Sequence, residues 1–209
     1  MNALTVHQHL RLYVMRHGEI EQGRDPVYYG QTDVALSTRG VEQSHRLCKM
    51  VTSAPLVAVY ASDLKRARYA ADLIAQTHGL TVSSLPLLRE INLGEWEGRS
   101  LAELSAMHPE MVAQLLENPG EFRYPGGESF PEFDHRVQDA LQRILTTHEN
   151  GEVALVTHGG VCRLIIGSVL ELAPKYWLRL AQDFGCINIV DWYDGCPVLQ
   201  TLNQTIAFL

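Results

Sequence analysis

Arg16, His17, Arg66 and His158 stand in short polar runs, each following an apolar stretch of the chain. The runs are Arg16-His17-Gly18-Glu19, Ser62-Asp63-Leu64-Lys65-Arg66-Ala67 and Thr157-His158-Gly159-Gly160. These residue types suit a phosphomonoester dianion. Such an anion needs cations, and a planar guanidinium can donate two hydrogen bonds to it at once. A histidine can attack phosphorus when one ring nitrogen is unprotonated and the other is held by a hydrogen bond. His17, beside Arg16 and followed by Gly18, is placed for this. His158 precedes two glycines, where a ligand could approach the backbone closely, and could donate to a phosphate oxygen in the transition state. Side-chain cations could then carry the electrostatics with no metal and no cofactor.

The leaving alkoxide needs a proton. A carboxylic acid next to a bound dianion is favoured in its protonated form and can act as a general acid. Glu90 in Leu88-Arg89-Glu90-Ile91-Asn92-Leu93-Gly94-Glu95-Trp96-Glu97-Gly98 is the choice, with Glu95 and Glu97 close by. Taken singly, each residue has a plainer reading: a packed core histidine, surface ion pairs, a helix cap. The convergence of all of them favours a site.

That convergence depends on the elements. Residues 10–15 and 56–60 read as strands, 153–156 as a third. Helices are expected from Ser37 to about Val51, over 64–76, and over 161–170. Ser100 with Glu103, and Ser129 with Glu132, are capping boxes, the second opening a helix to about His148. Residues 186–193 and 198–202 read as closing strands, with Asp194-Gly195 as a hairpin turn. Strands alternating with helices predict an α/β three-layer sandwich around a mostly parallel sheet. Ligands bind beyond the carboxyl ends of such strands, where all three polar runs fall.

The 209 residues suit one domain, here with a helical and loop insertion over about 99–128 above the site. The apolar fraction is 46 % and the formal net charge −7, so phosphate backbones and anionic membrane surfaces would repel the chain. Any anion must be held by a local cationic pocket. A small phosphorylated metabolite is the expected partner, not nucleic acid or membrane, and a homodimer stays open. Cys48, Cys162, Cys186 and Cys196 form no CxxC pair; reduced thiols in a cytoplasm are the simplest reading, with a Cys186–Cys196 bridge across the closing hairpin as the alternative. Residues 1–9 are polar and carry no signal-peptide core. His7-Gln8-His9 makes a poor metal site.

Those motifs carry a resemblance. In order, Arg16–Glu19, Gly30-Gln31-Thr32-Asp33-Val34-Ala35-Leu36-Ser37, the Arg66 run, the Glu90–Gly98 segment, Pro125-Gly126-Gly127-Glu128-Ser129 and Thr157-His158-Gly159 resemble the histidine phosphatase superfamily, also called phosphoglycerate mutase-like. Within it, the compact length and the GQTD and GEWEG segments look most like alpha-ribazole phosphatases and broad-specificity phosphatases. The resemblance implies a phosphohistidine at His17, a phosphate pocket of Arg16, Arg66 and His158, and Glu90 as proton donor. Gly159, Gln31 and Thr32 complete the expected substrate contacts. Family mutases carry an insertion between the acid and the second histidine for which this chain is short. A mutase or a non-catalytic phospho-ligand module are the rival readings. The chain departs from the family pattern at Ile20, Gly23 and Tyr69, which bears on substrate choice. Selectivity is expected in residues 20–33, with Tyr28 and Tyr29, and in 105–128, with His108, Pro109, Phe122 and Tyr124, provided these aromatics do more than anchor the loops.

Overall fold

In the computed structural model, residues 8–21 and 27–206 are described. Gly23 and His7 lie outside them. The elements run β1 (His9–Arg16), α1 (Thr38–Val51), β2 (Leu56–Ala61), α2 (Lys65–His78), β3 (Val82–Ser84), α3 (Leu101–Met107), α4 (Pro109–Glu117), α5 (Phe130–Thr147), β4 (Gly151–Thr157), α6 (Gly159–Val169), β5 (Ile187–Tyr193) and β6 (Cys196–Gln204). The sheet order is β3-β2-β4-β1-β5-β6. The pairs β2·β3, β2·β4 and β1·β4 are parallel, whereas β1·β5 and β5·β6 are antiparallel. The expected mostly parallel α/β sandwich is therefore present.

Two-residue alternation builds its layers. On β1, Leu10, Leu12 and Val14 pack with α5 and α6 residues such as Val137, Ile144 and Leu164. Tyr13 and Met15 point the other way, into a core with Leu47 of α1 and Ala67, Ala70 and Ile74 of α2. β4 divides likewise, with Val153 and Leu155 on the first face and Ala154 and Val156 on the second. Strands buried on both faces read as continuous apolar runs, which is why these two were legible.

Both capping boxes form, with Ser100 and Ser129 accepting from the backbone N–H of Glu103 and Glu132. Ser37 caps α1 by accepting from Gly40 N at 3.0 Å. The hairpin turn is Asp194-Gly195, both at positive φ (49° and 83°), as a two-residue type I′ loop needs. Three details differ from expectation. β3 is a three-residue edge strand, too short for a periodic signal. α4 follows α3 after a single residue, His108, with Pro109 at its first position. α6 begins at Gly159, two residues early, because the His158-Gly159-Gly160 turn is itself the start of the helix. All four cysteines are free, so the Cys186–Cys196 bridge is not formed; Cys186 is buried and Cys196 exposed. No described helix is long and apolar enough to cross a membrane.

β1 and α1 meet through glycine. A Cβ on Gly18 would lie 2.2 Å from Gly40 O, and one on Gly40 would lie 1.9 Å from Glu19 O. Alanine in a helix normally gains about 1 kcal/mol over glycine. Overpacking against backbone opposes this by about 1–3 kcal/mol. With a backbone oxygen only 1.9 Å away the upper end of that cost applies, so Gly40→Ala should destabilise the protein by about 2 kcal/mol, read as a lowered urea midpoint; an unchanged or raised midpoint would show that the close approach is not needed.

Candidate active site

Because β2, β4 and β1 are neighbours and parallel, their carboxyl ends lie side by side. Backbone bonds stitch these ends together: His17 N donates to Thr157 O at 2.9 Å, and Ser62 N to Val156 O at 3.1 Å. His17 (4 % exposed), Arg66 (1 %) and His158 (0 %) are buried there. The two imidazoles meet edge to face with centroids 5.1 Å apart.

His17 Nδ1 lies 2.7 Å from Gly18 O. A carbonyl only accepts, so Nδ1 carries the proton and Nε2 keeps its lone pair. Burial, then the charges of Arg16 and Arg66, hold this ring well below the ordinary imidazole value of 6.5. His158 is lowered in the same direction by burial, then by His17, Arg66 and Arg16. Both ring nitrogens of His158, and Nε of Arg16, are buried with no hydrogen-bond partner among the described residues.

The arginines are fixed from outside. Arg16 Nη1 donates to Gln182 O at 2.5 Å, and its guanidinium lies 3.8 Å over the Phe184 ring. Gln182 is itself locked by reciprocal amide bonds with Asn188, whose Nδ2 also donates to Val14 O. Arg66 donates to Thr32 O at 2.7 Å and to Gly30 O at 2.5 Å. Those carbonyls face it because Glu97 gathers the opposite side of the same loop, accepting from Gly30 N (3.0 Å), Gln31 N (2.8 Å) and Thr32 N (3.4 Å). Gln31 Nε2 reaches Glu90 O at 3.3 Å. The main chain of Gln31 and Thr32 thus braces Arg66 and Glu97.

Glu90 lies at the same strand ends. Its Oε2 accepts from Gly160 N at 2.8 Å, at the first turn of α6. Its charge acts on both Arg16 and Arg66. A Cβ at Gly160 would fall 2.2 Å from Glu90 Oε1, and one at Gly159 would fall 3.2 Å from Arg16 Nε. The two glycines after His158 therefore make room for the carboxylate and the guanidinium. Glu95 is exposed, and Glu97 is spent on the loop.

Several positioning residues escaped the sequence reading. Arg136, inside α5, donates to the carbonyls of Leu87, Arg89 and Glu90 and to both oxygens of Glu128. Arg89 pairs with Asp63 through both carboxylate oxygens. Together they clamp the segment bearing Glu90 to the end of β2 and to α5. Nothing marks Arg136 in a helix surface that reads Pro-Glu-Phe-Asp-His-Arg. Gln182 and Phe184 sit in a loop without pattern. Of the family departures, Ile20 is buried (6 %) and bridges to Leu36, and Tyr69 is partly exposed against His45. His9 does not gather a metal site; it stacks on Tyr193 and faces Asp191. Among the described residues, no three His, Cys, Asp or Glu side chains cluster as metal ligands would.

The sequence profile of the histidine phosphatase superfamily (branch 1) matches residues 12–205. The chain belongs to the histidine phosphatase superfamily. An Erwinia tasmaniensis protein carrying the name "Probable phosphoglycerate mutase GpmB" is 34 % identical over 182 residues, 87 % of this chain and 85 % of its own. The adenosylcobalamin/alpha-ribazole phosphatase of Escherichia coli K12 is 28 % identical over 196 residues, 93 % of this chain and 96 % of its own. The crystal structure of the alpha-ribazole phosphatase from Shigella flexneri superposes with a TM-score of 0.81 at 26 % identity, covering 95 % of this chain and 99 % of that one. In this histidine phosphatase fold, the buried imidazoles have a consequence for stability. The unfolded chain protonates His17 and His158 below about 6.5, whereas the folded chain holds both neutral. Their folded values are depressed, so stability is full above the unfolded pKa and falls as pH drops from there toward the folded values. Urea titrations at about pH 7 and about pH 5 should show wild type losing stability on acidification, and His17→Gln losing less. An equal loss in the variant would contradict a neutral, buried His17.

Proposed function

We propose that the chain is a metal-independent phosphomonoesterase that works through a phosphohistidine on His17. The observation that carries this is the His17 imidazole itself, neutral, with its proton fixed on Nδ1 by Gly18 O and Nε2 left as a nucleophile between two buried guanidiniums. Arg16 and Arg66 hold the phosphoryl oxygens, His158 with Gly159 beside it completes the pocket, and the main chain of Gln31 and Thr32 keeps Arg66 in place. In the first step, the Nε2 lone pair forms a bond to phosphorus as the ester P–O bond breaks. Glu90 gives its proton to the departing oxygen, releasing an alcohol. In the second step, Glu90 as carboxylate takes a proton from water, the resulting hydroxide oxygen attacks phosphorus, and the P–N bond breaks to return neutral His17 and inorganic phosphate. Residues 99–128 act as an insertion over this site within one domain. A cytoplasmic small metabolite is the substrate, and the names of the relatives point to alpha-ribazole 5′-phosphate first.

His17→Ala should lower kcat by about three orders of magnitude or more while leaving the fold intact. Labelled substrate should leave an acid-labile, alkali-stable phosphate on wild type and none on the variant. Label that survives in His17→Ala would overturn the nucleophile assignment.

Because the charge is supplied by guanidiniums, EDTA should leave the rate unchanged and orthovanadate should inhibit. A rate that collapses with chelator and returns with Mg²⁺ or Zn²⁺ would refute metal independence. The relatives named for phosphoglycerate mutase favour a second reading, return of the phosphoryl group to a sugar acid instead of to water. Incubation with 3-phosphoglycerate and a bisphosphate primer separates the two: isomerised product supports the mutase, and free phosphate alone supports the hydrolase.

A further inference from the structure

Beside Glu90 lies an apolar cleft of about 250 Å³, formed where the 99–128 segment faces α6 and the turn at Pro174–Arg179. Its inner walls include Trp96, Phe130, Phe133 and Trp177. Its rim is made of side chains left open to solvent: Tyr28 at 49 %, Leu101 at 44 %, Leu116 at 59 % and Leu178 at 61 %. Four large apolar residues exposed around one opening are not explained by packing, and a contiguous patch of this kind marks a binding surface.

The cleft adjoins the residues that hold Glu90. Gly160, whose N–H binds the Glu90 carboxylate, is part of its lining, as is Ile91, the next residue after Glu90. Tyr124 lines it too, and its hydroxyl is raised by burial first and then by the Glu90 charge. Direction follows from the chemistry. The general acid must sit on the leaving oxygen, opposite the nucleophile, so whatever is attached to that oxygen extends past Glu90 and into the cleft.

The walls select by polarity. Arg163 is the charged residue among those lining the cleft, and its Nε is engaged by Leu180 O at 3.0 Å. A carboxylate-bearing leaving group would be stripped of water against indole, phenyl and leucine side chains, with the remaining N–H groups of Arg163 as the cation in the lining to receive it. A bulky apolar group would bury its surface there and stack on the aromatic rings. The structure also divides the loop aromatics by role. Tyr28 and Tyr124 line the cleft, Tyr124 while also packing on the small core of Leu93, Trp96, Leu104 and Val112, in which Phe122 is enclosed at 1 % exposure and does not reach the cleft.

We propose that this cleft is the leaving-group subsite and that the preferred substrates are phosphomonoesters of bulky hydrophobic alcohols, not of small sugar acids. This rests on the phosphohistidine reading above.

Phenyl, naphthyl and biphenylyl phosphates test it, because their leaving oxygens are chemically alike and only the apolar bulk grows. Each added ring should raise kcat/KM roughly tenfold. Leu116→Glu and Leu178→Glu, both at exposed positions, should cut the naphthyl-over-phenyl ratio of kcat/KM by roughly tenfold, after normalising to the amount of phosphoenzyme each protein forms. A ratio near one in wild type, or an unaltered ratio in both variants, would overturn the subsite while phosphoenzyme formation upholds the mechanism. Such an outcome would leave the cleft as a docking surface for another chain. No phosphoenzyme from any of the esters would overturn both readings.

Discussion

Two guanidinium groups, Arg16 at the end of β1 and Arg66 just beyond β2, flank the end of β4 and set the terms for the rest of this molecule. Removing a cation from water costs several kcal/mol unless other groups replace its hydration. Arg66 has main-chain carbonyls from the 30–32 loop, and Arg16 has Gln182 O and the face of Phe184. These are dipoles and a quadrupole, not neutralising charges. Glu90 and Glu97 supply negative charge nearby without contacting the guanidiniums. The site therefore keeps a positive field, and that field, added to burial, holds both imidazoles neutral. The positive charge of the site and the neutral state of its two imidazoles thus have one physical cause.

Most of the surrounding structure serves to hold those groups still. Glu97 organises the loop that faces Arg66. Arg136 and the Asp63–Arg89 pair hold the acid-bearing segment, and Glu128 binds Asn92 N while receiving Arg136. Glycine allows the close contacts: Gly94 adopts φ 54°, and a Cβ there would meet Pro125 O at 2.1 Å, where the Gly94–Trp96 turn docks against the 125–127 turn. The motif residues that touch no substrate are explained by this framework.

The segment over the strand ends has a small core of its own. The small core of Leu93, Trp96, Leu104, Val112 and Phe122 is joined to the core on one face of the sheet through Ile91, which packs against both. Helices on such a core can change their outer side chains without disturbing the phosphate pocket. Relatives of similar identity bear the names of a mutase and of a phosphatase.

The amino-acid order by itself determined the family, the alternation of strands and helices, and which polar residues follow the buried strands. Arg16-His17-Gly18, Arg66, Glu90 and His158-Gly159 sit beside buried strands whose apolar runs are unmistakable. The caps at Ser37, Ser100 and Ser129 are equally local, since a hydroxyl bonding an N–H two or three residues on needs no tertiary partner. Tertiary structure alone decided how these pieces meet. That β4 lies between β1 and β2 follows from long-range pairing, which no local pattern carries. The roles of Glu97 and Arg136 rest on contacts across 66 and 46 residues, between side chains whose own neighbourhoods are unremarkable. Phe122 and Tyr124, two positions apart and alike in type, differ in burial, the first enclosed in a small core and the second packed on its edge where it also lines the cleft, because burial is set by what packs against a residue and not by what the residue is.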